Sequence, residues 1–410
     1  MTRLPTTRAE ALDADRADPL APARDKFLLP DGVIYLDGNS LGPLTKSARE
    51  RVRAAVNEEW GEGLIRSWNT AGWIDLPANV AAKIAKLIGA RGQDVAVCDS
   101  TSVNLFKVLS AALDKAKAGR RVIISEPGNF PTDLYIAEGV SALKGAELRL
   151  TDKPLDALGP DTAVLMLTQV DYRTGAKHDM AAVTERAHAA GAIVIWDLAH
   201  STGAFPVDLE GAGADFAIGC GYKYLNGGPG APAFLWVAER HQDAMPALRG
   251  WFGHAAPFAF ESGFRPAPGI TRFLTGTAPV LSMTALDAAL DAFEGVDLGE
   301  VAKKSAALGD MMIAEVKRAC GDALTLASPT DAAVRGSQVS FRHPEGYAVM
   351  QGLIAQGVIG DFRAPDILRF GFTPLYTRYV DVFDAVEVLA DLVVSGAWDK
   401  PEFHARAAVT

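Results

Sequence analysis

The stretch GCGYKYLNGG, Gly219 to Gly228, sets a lysine between two tyrosines with glycines on either side. A solvated lysine needs no such frame. Between Tyr222 and Tyr224, Lys223 is shielded from water. Shielding favours the neutral amine, which attacks carbonyls and forms Schiff bases. Three other stretches carry complementary chemistry. Asp197 follows the apolar run AIVIW, with His200 just beyond it. A carboxylate so placed is partly desolvated and calls for a cationic or protonated partner. Asp99-Ser100-Thr101-Ser102 precedes an apolar helical pattern. Hydroxyls there cap the helix, and its free N–H groups and dipole make an anion site. EPGNFPTD puts Phe130 in a Pro/Gly-rich turn with Asp133 close behind. An aromatic there has a face to offer a flat ligand ring.

Each feature also has an ordinary structural reading. Hydroxyls before a helix are common caps, and an aromatic in a turn is common loop packing. A strand-end aspartate caps the next turn, a loop lysine is solvated, and a lone His200 is structural. The elements that must position these residues favour a joint reading. VNLFKVLSAALDKA places Val103, Phe106, Leu109 and Leu113 at helical spacing. RVIIS, ELRLT, AVLMLTQV, AIVIWD, DFAIGC and APAFLWVA read as strands, and DMAAVTERAHAA as an amphipathic helix. Continuous apolar strands separated by helices mean a mostly parallel sheet buried on both faces. In such sheets ligands bind beyond the carboxyl ends of the strands. The candidate residues stand there, after different strands. Together they offer a phosphate site, a ring face, a carboxylate for a ring nitrogen and a lysine for an aldehyde. Those are the requirements of pyridoxal 5'-phosphate. A Walker loop and a G-x-G-x-x-G fingerprint are both missing from the sequence.

The expected fold class is α/β, a large three-layer domain over 46–285 with a smaller α+β domain over 286–410. The first 45 residues are expected to form an arm packed with the small domain, and a helical pattern runs from Thr45 to Trp60. After 285 the reading is helical through MTALDAALDAFEG and GDMMIAEVKRA. It continues as strand SQVSFRH, helix YAVMQGLIAQG, strand ILRFGFT and helix DVFDAVEVLADLVVS. With 410 residues, 49% of them hydrophobic, the chain can bury a sizeable core. Its net charge of -10 argues against nucleic acid or an anionic membrane as the main partner. Cys98, Cys220 and Cys320 are far apart, which argues against a disulfide scaffold or a zinc site. The start MTRLPTTRAEALDADRADPLAP lacks the apolar core of a signal peptide, so a cytoplasmic, reduced setting is expected.

The residues also carry a family resemblance that runs along nearly the whole chain. YLDGNSLGPL (35–44), STSVNLFK (100–107), NFPTDLY (129–135), DLAHSTGAFPVDL (197–209), GCGYKYLNGGPGAPAFLWV (219–237), GWFGH (250–254) and ILRFGFTPLYTRYVDV (367–382) resemble a fold-type I pyridoxal phosphate enzyme of the class V aminotransferase group. YLDGNSLGP with GYKYLNGGPG resembles the kynureninases in particular.

The resemblance implies roles position by position. Lys223 links covalently to the cofactor and then acts as base at the substrate's Cα. Asp197 pairs with the ring nitrogen, His200 supports the cofactor, and Phe130 stacks on the ring with Asp133 beside it. Thr101, Ser102 and Tyr222 bind phosphate, and Tyr222 relays protons. Thr168 is a further cofactor contact. Trp251 and Thr277 complete the phosphate side from a neighbouring subunit, which implies a homodimer. Arg369 grips the substrate's α-carboxylate, a natural task for a planar bidentate donor. Ser40 and Trp68 contribute to the aromatic substrate pocket. The implied reaction is hydrolysis of L-kynurenine or 3-hydroxykynurenine to anthranilate or 3-hydroxyanthranilate and L-alanine, in tryptophan degradation and NAD biosynthesis. The alternatives are a non-catalytic cofactor-binding protein or another activity of the group. A cysteine desulfurase, for example, would need an exposed cysteine, for which Cys320 is the candidate. Tyr224 is expected to serve packing alone.

Overall fold

The computed structural model describes residues 4–406. Its strands are β1 (Ile34–Tyr35), β2 (Val95–Val97), β3 (Val122–Ser125), β4 (Glu147–Leu150), β5 (Thr162–Thr168), β6 (Ile193–Asp197), β7 (Phe216–Gly219), β8 (Phe234–Val237), β9 (Thr325–Leu326), β10 (Gln338–Arg342), β11 (Val358–Ile359), β12 (Asp361–Arg363) and β13 (Ile367–Gly371). The main helices are α1 (Arg8–Ala17), α2 (Lys46–Ala54), α3 (Ser67–Thr70), α4 (Leu76–Leu87), α5 (Thr101–Lys115), α6 (Pro131–Lys144), α7 (Met180–Ala189), α8 (Val280–Ala289), α9 (Leu298–Cys320), α10 (Gly346–Ala355) and α11 (Tyr379–Ser395).

A seven-stranded sheet in the order β2-β8-β7-β6-β5-β3-β4 organises the larger part of the chain. Only β8 runs antiparallel to its neighbours, so the sheet is mostly parallel as the apolar runs require. Alternate side chains enter opposite layers. Val122, Ile124, Leu165, Leu167, Val194 and Trp196 share one core. Ile123, Val164, Met166, Ile195, Phe216 and Ile218 share the other. Helix α5 covers the second layer. Its burial extends beyond the expected stripe: Leu105, Val108, Leu109 and Ala112 are buried, while Val103 and Phe106 are only half-buried. The reason is that α5 lies under both α6 and the sheet, so more than one face is covered.

The Thr45–Trp60 pattern begins where expected, with Thr45 Oγ1 accepting from the Ala48 N–H at 3.1 Å. Beyond Ala54 the helix widens into a π-helical segment, Ala55–Gly63. The expected divide at 285 cuts through α8. Met283, Leu286, Leu290 and Phe293 all join the core of the large sheet. A second core follows, built by α9, α10, α11, β10 and β13 around Leu308, Met312, Phe341, Leu353 and Leu389. Its sheet is four-stranded and antiparallel, in the order β12-β13-β10-β9. The N-terminal segment lies against this second core. The Asp15 carboxylate accepts from the Tyr379 and Val380 N–H groups at 2.6 and 3.1 Å, which caps α11. Arg8 pairs with Asp384 at 2.7 Å. Among the described residues no helix is long and apolar enough to cross a membrane.

Candidate active site

The carboxyl ends of β3, β5, β6 and β7 open into one cavity of about 660 Å³. Thr101, Ser102, Phe130, Asp133, Thr168, Asp197, His200, Tyr222, Lys223 and Thr277 all line it. Residues from six separate stretches of sequence therefore meet in one place.

At one end stands the start of α5. Ser100 caps it, its Oγ accepting from the Val103 N–H at 3.3 Å. Thr101 and Ser102 are the first helical residues, so their N–H groups have no partner within the helix. With the helix dipole they form an anion site. Asp99, just before the cap, also lines the cavity and has a φ of +50°.

The turn after β3 is held from below. Thr168 Oγ1 donates to Asn129 Oδ1, which also accepts from the Phe130 N–H at 2.7 Å. Asn129 Nδ2 donates to Ser125 Oγ at 3.0 Å. This presents Phe130 at the cavity, its ring edge-to-face with Tyr172 at 5.3 Å between centroids. Thr168 thus acts on the turn that carries the aromatic.

Asp197 and Asp133 form a buried carboxylate pair. Burial first, then the charge of Asp197 beside it, raises the Asp133 carboxyl well above its ordinary range. Burial also raises Asp197, but Lys223, the Ala199 N–H and Asp133 pull it back. Asp133 therefore takes up a proton more readily than Asp197. Asp197 Oδ1 accepts from the Ala199 N–H at 2.7 Å.

Lys223 Nζ stands 3.0 Å from His200 Nε2 and 5.9 Å from the ring centres of both Phe130 and Tyr222. Burial, then the positive charges of Lys223, Arg369 and Arg363, hold His200 well below its usual pKa. The imidazole is neutral, so Nε2 accepts a hydrogen bond from the lysine. Burial raises the Tyr222 phenol, which keeps it a proton donor. The glycines allow the loop to close tightly. A Cβ on Gly221 would lie 2.4 Å from the Pro232 carbonyl oxygen, and one on Gly42 2.4 Å from that of Lys223. The Gly42 N–H donates to the Tyr222 carbonyl at 2.8 Å. Tyr224 does more than fill space. Its hydroxyl donates to the Ser337 carbonyl at 3.1 Å, fastening the lysine loop to the strand edge of the second core.

Four sequence candidates lie outside the cavity lining. Arg369 is 1% exposed and sits behind Tyr172, whose carbonyl accepts from Nη1 at 2.6 Å. Its Nη2 donates to Ser40 Oγ at 2.6 Å and pairs with Asp361. Ser40 is thus a partner of Arg369 rather than a pocket wall. Trp68 meets Trp73 and Phe252, at 5.9 and 6.2 Å between ring centres, instead of facing the cavity. Trp251 packs on Phe252 at 4.3 Å and is 38% exposed. Thr277 differs from the expectation in the other sense. It lines the cavity of its own chain, because Thr275 Oγ1 ties this segment to Asp99 at 3.2 Å. Sequence reasoning passed over Tyr172, Asn129 and Asp361. Asn129 stood inside a quoted motif. Asp361 is set opposite Arg369 only by the β12–β13 register.

The set fits pyridoxal phosphate. Besides the anion site and the lysine, two buried polar atoms, His200 Nδ1 and Asp133 Oδ2, have no hydrogen-bond partner among the described residues. The cavity has room for a cofactor together with a substrate. The three thiols are buried, and burial pushes up the Cys320 pKa, the reverse of what a sulfur nucleophile needs.

Known proteins share this fold. The cystine C–S lyase C-DES, solved with glycine covalently linked to its PLP cofactor, superposes with a TM-score of 0.78 at 18% identity, covering 90% of this chain and 99% of that one. The Escherichia coli cysteine desulfurase CsdA gives 0.76 at 22%, covering 92% and 98%. These establish the fold. A family model described as the kynureninase C-terminal domain matches residues 301–389. A kynureninase of Burkholderia mallei is 57% identical over 414 residues, spanning 98% of this chain and 100% of its own length. One from Pseudomonas fluorescens is 53% identical, spanning 99% and 100%. The chain belongs to the kynureninase family.

Proposed function

We propose that this protein is a pyridoxal phosphate-dependent hydrolase that cleaves L-kynurenine to anthranilate and L-alanine. The observation that carries it is the meeting of Lys223, His200, Asp197 and Asp133 in one cavity of a chain 57% identical to kynureninases. When bound, the cofactor supplies an electron sink for charge developing at the substrate's Cα. Lys223 holds the cofactor and then moves the Cα proton. Its hydrogen bond to neutral His200 keeps the amine aimed at the ring position. Asp197, the more acidic of the carboxylate pair, keeps the ring nitrogen protonated, and Asp133 supports it. Phe130 covers one ring face. Thr101, Ser102 and Tyr222 take the phosphate, with Thr277 at the rim. Water adds to the substrate's γ-carbonyl, anthranilate leaves with that oxygen, and Tyr222 would pass a proton to Cβ, which keeps the electrons of the broken Cβ–Cγ bond, a task worth about 10²–10⁴-fold in rate. Arg369 takes the substrate's α-carboxylate, exchanging it for Asp361, with Ser40 holding the guanidinium.

The enzyme acts as a homodimer in the cytoplasm. The dimer is supported by a series of rings in mutual contact, Trp68, Phe252, Trp251 and Phe258, with Leu64, Ile65 and Phe260, near them in sequence, also exposed. Apolar surface of this extent marks an interaction site. Trp251 and Trp68 would serve the neighbouring subunit's site from there. A docked arm over 4–45, the first three residues of the expected arm lying outside the described residues, and a divide between a large and a small domain near Asp297 belong to the same proposal.

The test is to mix the pure protein with kynurenine and with 3-hydroxykynurenine and follow the fluorescence of the released product. Lys223→Ala should retain cofactor, lose the visible absorbance of the lysine-linked form, and lose turnover. Wild-type turnover in that variant would refute the assignment.

A further inference from the structure

Behind the anion end of the cavity a lysine is wholly buried. Lys107, in α5, is 0% exposed. Its Nζ lies 2.5 Å from Asp99 Oδ2, donates to the Phe273 carbonyl at 2.8 Å, and reaches Cys98 Sγ at 3.4 Å. Nothing in the proposed reaction uses it.

Asp99 explains its presence. This carboxylate lines the cavity beside Ser100, Thr101 and Ser102, where a dianionic phosphate would sit. A negative charge there opposes phosphate binding. Yet Asp99 also builds the site. Its carboxylate accepts from Thr275 Oγ1 at 3.2 Å, which carries Thr277 to the rim. Its carbonyl accepts from the Ala233 N–H at 2.9 Å, joining the helix start to another wall of the cavity. Asp99 does this from the left-handed region, at φ +50°, which residues with a side chain avoid.

We propose that Lys107 is a positioning residue for phosphate binding. It cancels the charge of Asp99 and, through the Phe273 carbonyl, holds the 273–277 segment against the helix start. The inference rests on the reading of the α5 start as the phosphate site.

Full-chain protein freed of cofactor is titrated with pyridoxal phosphate and with pyridoxal, which lacks the phosphate. The wild type should bind the phosphorylated form far more tightly. Equal binding would overturn the phosphate-site reading and this proposal with it. In Lys107→Met the Kd for pyridoxal phosphate should rise about 10- to 100-fold, as an unscreened charge near a phosphate predicts, while pyridoxal changes little. An equal loss for both ligands, or no loss, would overturn the role of Lys107 while leaving the phosphate site standing. Lys107→Met/Asp99→Asn should recover most of the lost affinity, and failure to recover contradicts charge cancellation. Should Lys107→Met not fold, Asp99→Asn alone decides. It leaves the lysine uncompensated, so preference for the phosphorylated form should increase, and an unchanged or weaker preference rejects the proposal.

Discussion

Asp37 faces Arg369 from the N-terminal segment, with 3.9 Å between its Oδ1 and Nη2. Burial, then the neighbouring Asp361 charge, pushes its carboxyl up to about 7, against the pull of Arg369. An unfolded aspartate ionises near 3.9. The folded pKa is raised, so this group costs stability increasingly as the pH rises from about 3.9 towards 7, and no further cost accrues above. Above about 7 the new anion competes with a substrate carboxylate for Arg369. KM for kynurenine should therefore climb as pH passes through 7, and Asp37→Asn should flatten the climb, read from KM–pH profiles. A profile unaltered by the substitution would show that Asp37 does not govern Arg369. Residues such as Lys223, Asp197 and Phe130 were legible in sequence because each follows a strand whose apolar run is unmistakable. Asp37 and Asp361 were not, since their importance comes from long-range pairing with a buried guanidinium. Ser40 and Trp68 were found through resemblance, which gave their neighbourhood but not the direction of their side chains.

At the scale of elements, strand β7 delivers Lys223, and its entry is fixed by Asp215. That carboxylate is 3% exposed. It accepts from His188 and His241 at 2.7 Å, from Arg240 at 2.7 Å and from the Val194 N–H at 2.8 Å. Burial works to raise its pKa, but the two histidines and the Val194 N–H overcome it and hold the carboxyl far below its ordinary range. A depressed folded pKa contributes stability above about 3.9 that is lost as pH falls through the folded value. Asp215→Asn should cost about 1–3 kcal/mol at neutral pH, because it removes the charged acceptor shared by the part-exposed His188, Arg240 and His241 and by the buried Val194 N–H. It should also make acid unfolding less steep, both measured by urea titration across pH. A stability loss equal at low and neutral pH would contradict this. The strands themselves were readable from composition. The π-helical widening after Ala54 was not, because the same apolar spacing serves both helix forms until the backbone is seen.

Across the whole molecule, the N-terminal segment fastens to the second core through a buried ion pair. Lys304 Nζ lies 2.6 Å from Asp18 Oδ2 and donates to the Pro374 carbonyl at 2.7 Å. The two side chains are 6% and 5% exposed. Lys304→Met strands a buried carboxylate and should destabilise by about 3–5 kcal/mol. Adding Asp18→Asn should restore much of it, as thermal unfolding would report, and a double variant no more stable than the single one argues against the pairing. The aromatic patch acts at this scale too. Sedimentation should find a dimer, and Trp251→Ser/Phe258→Ser should weaken it and lower turnover together. A fully active monomer would rule out a shared site. The division into two cores was broadly visible in the switch from parallel to antiparallel patterns. Its position was not, because α8 is apolar enough to belong to either side and only packing assigns it.

The Arg8–Asp384 pair and the Asp15 cap on α11 join the two ends of the chain. A ribosome makes the arm first and its berth last. Through most of synthesis residues 8–18 have nowhere to dock, and the Gly42–Tyr222 contact that steadies the lysine loop lies just downstream of them. The larger core can close on its own as the chain emerges. Lys223 and His200 both belong to that earlier part, so an unfinished chain would aim the lysine before Arg369 is in place and before the arm has docked on α11.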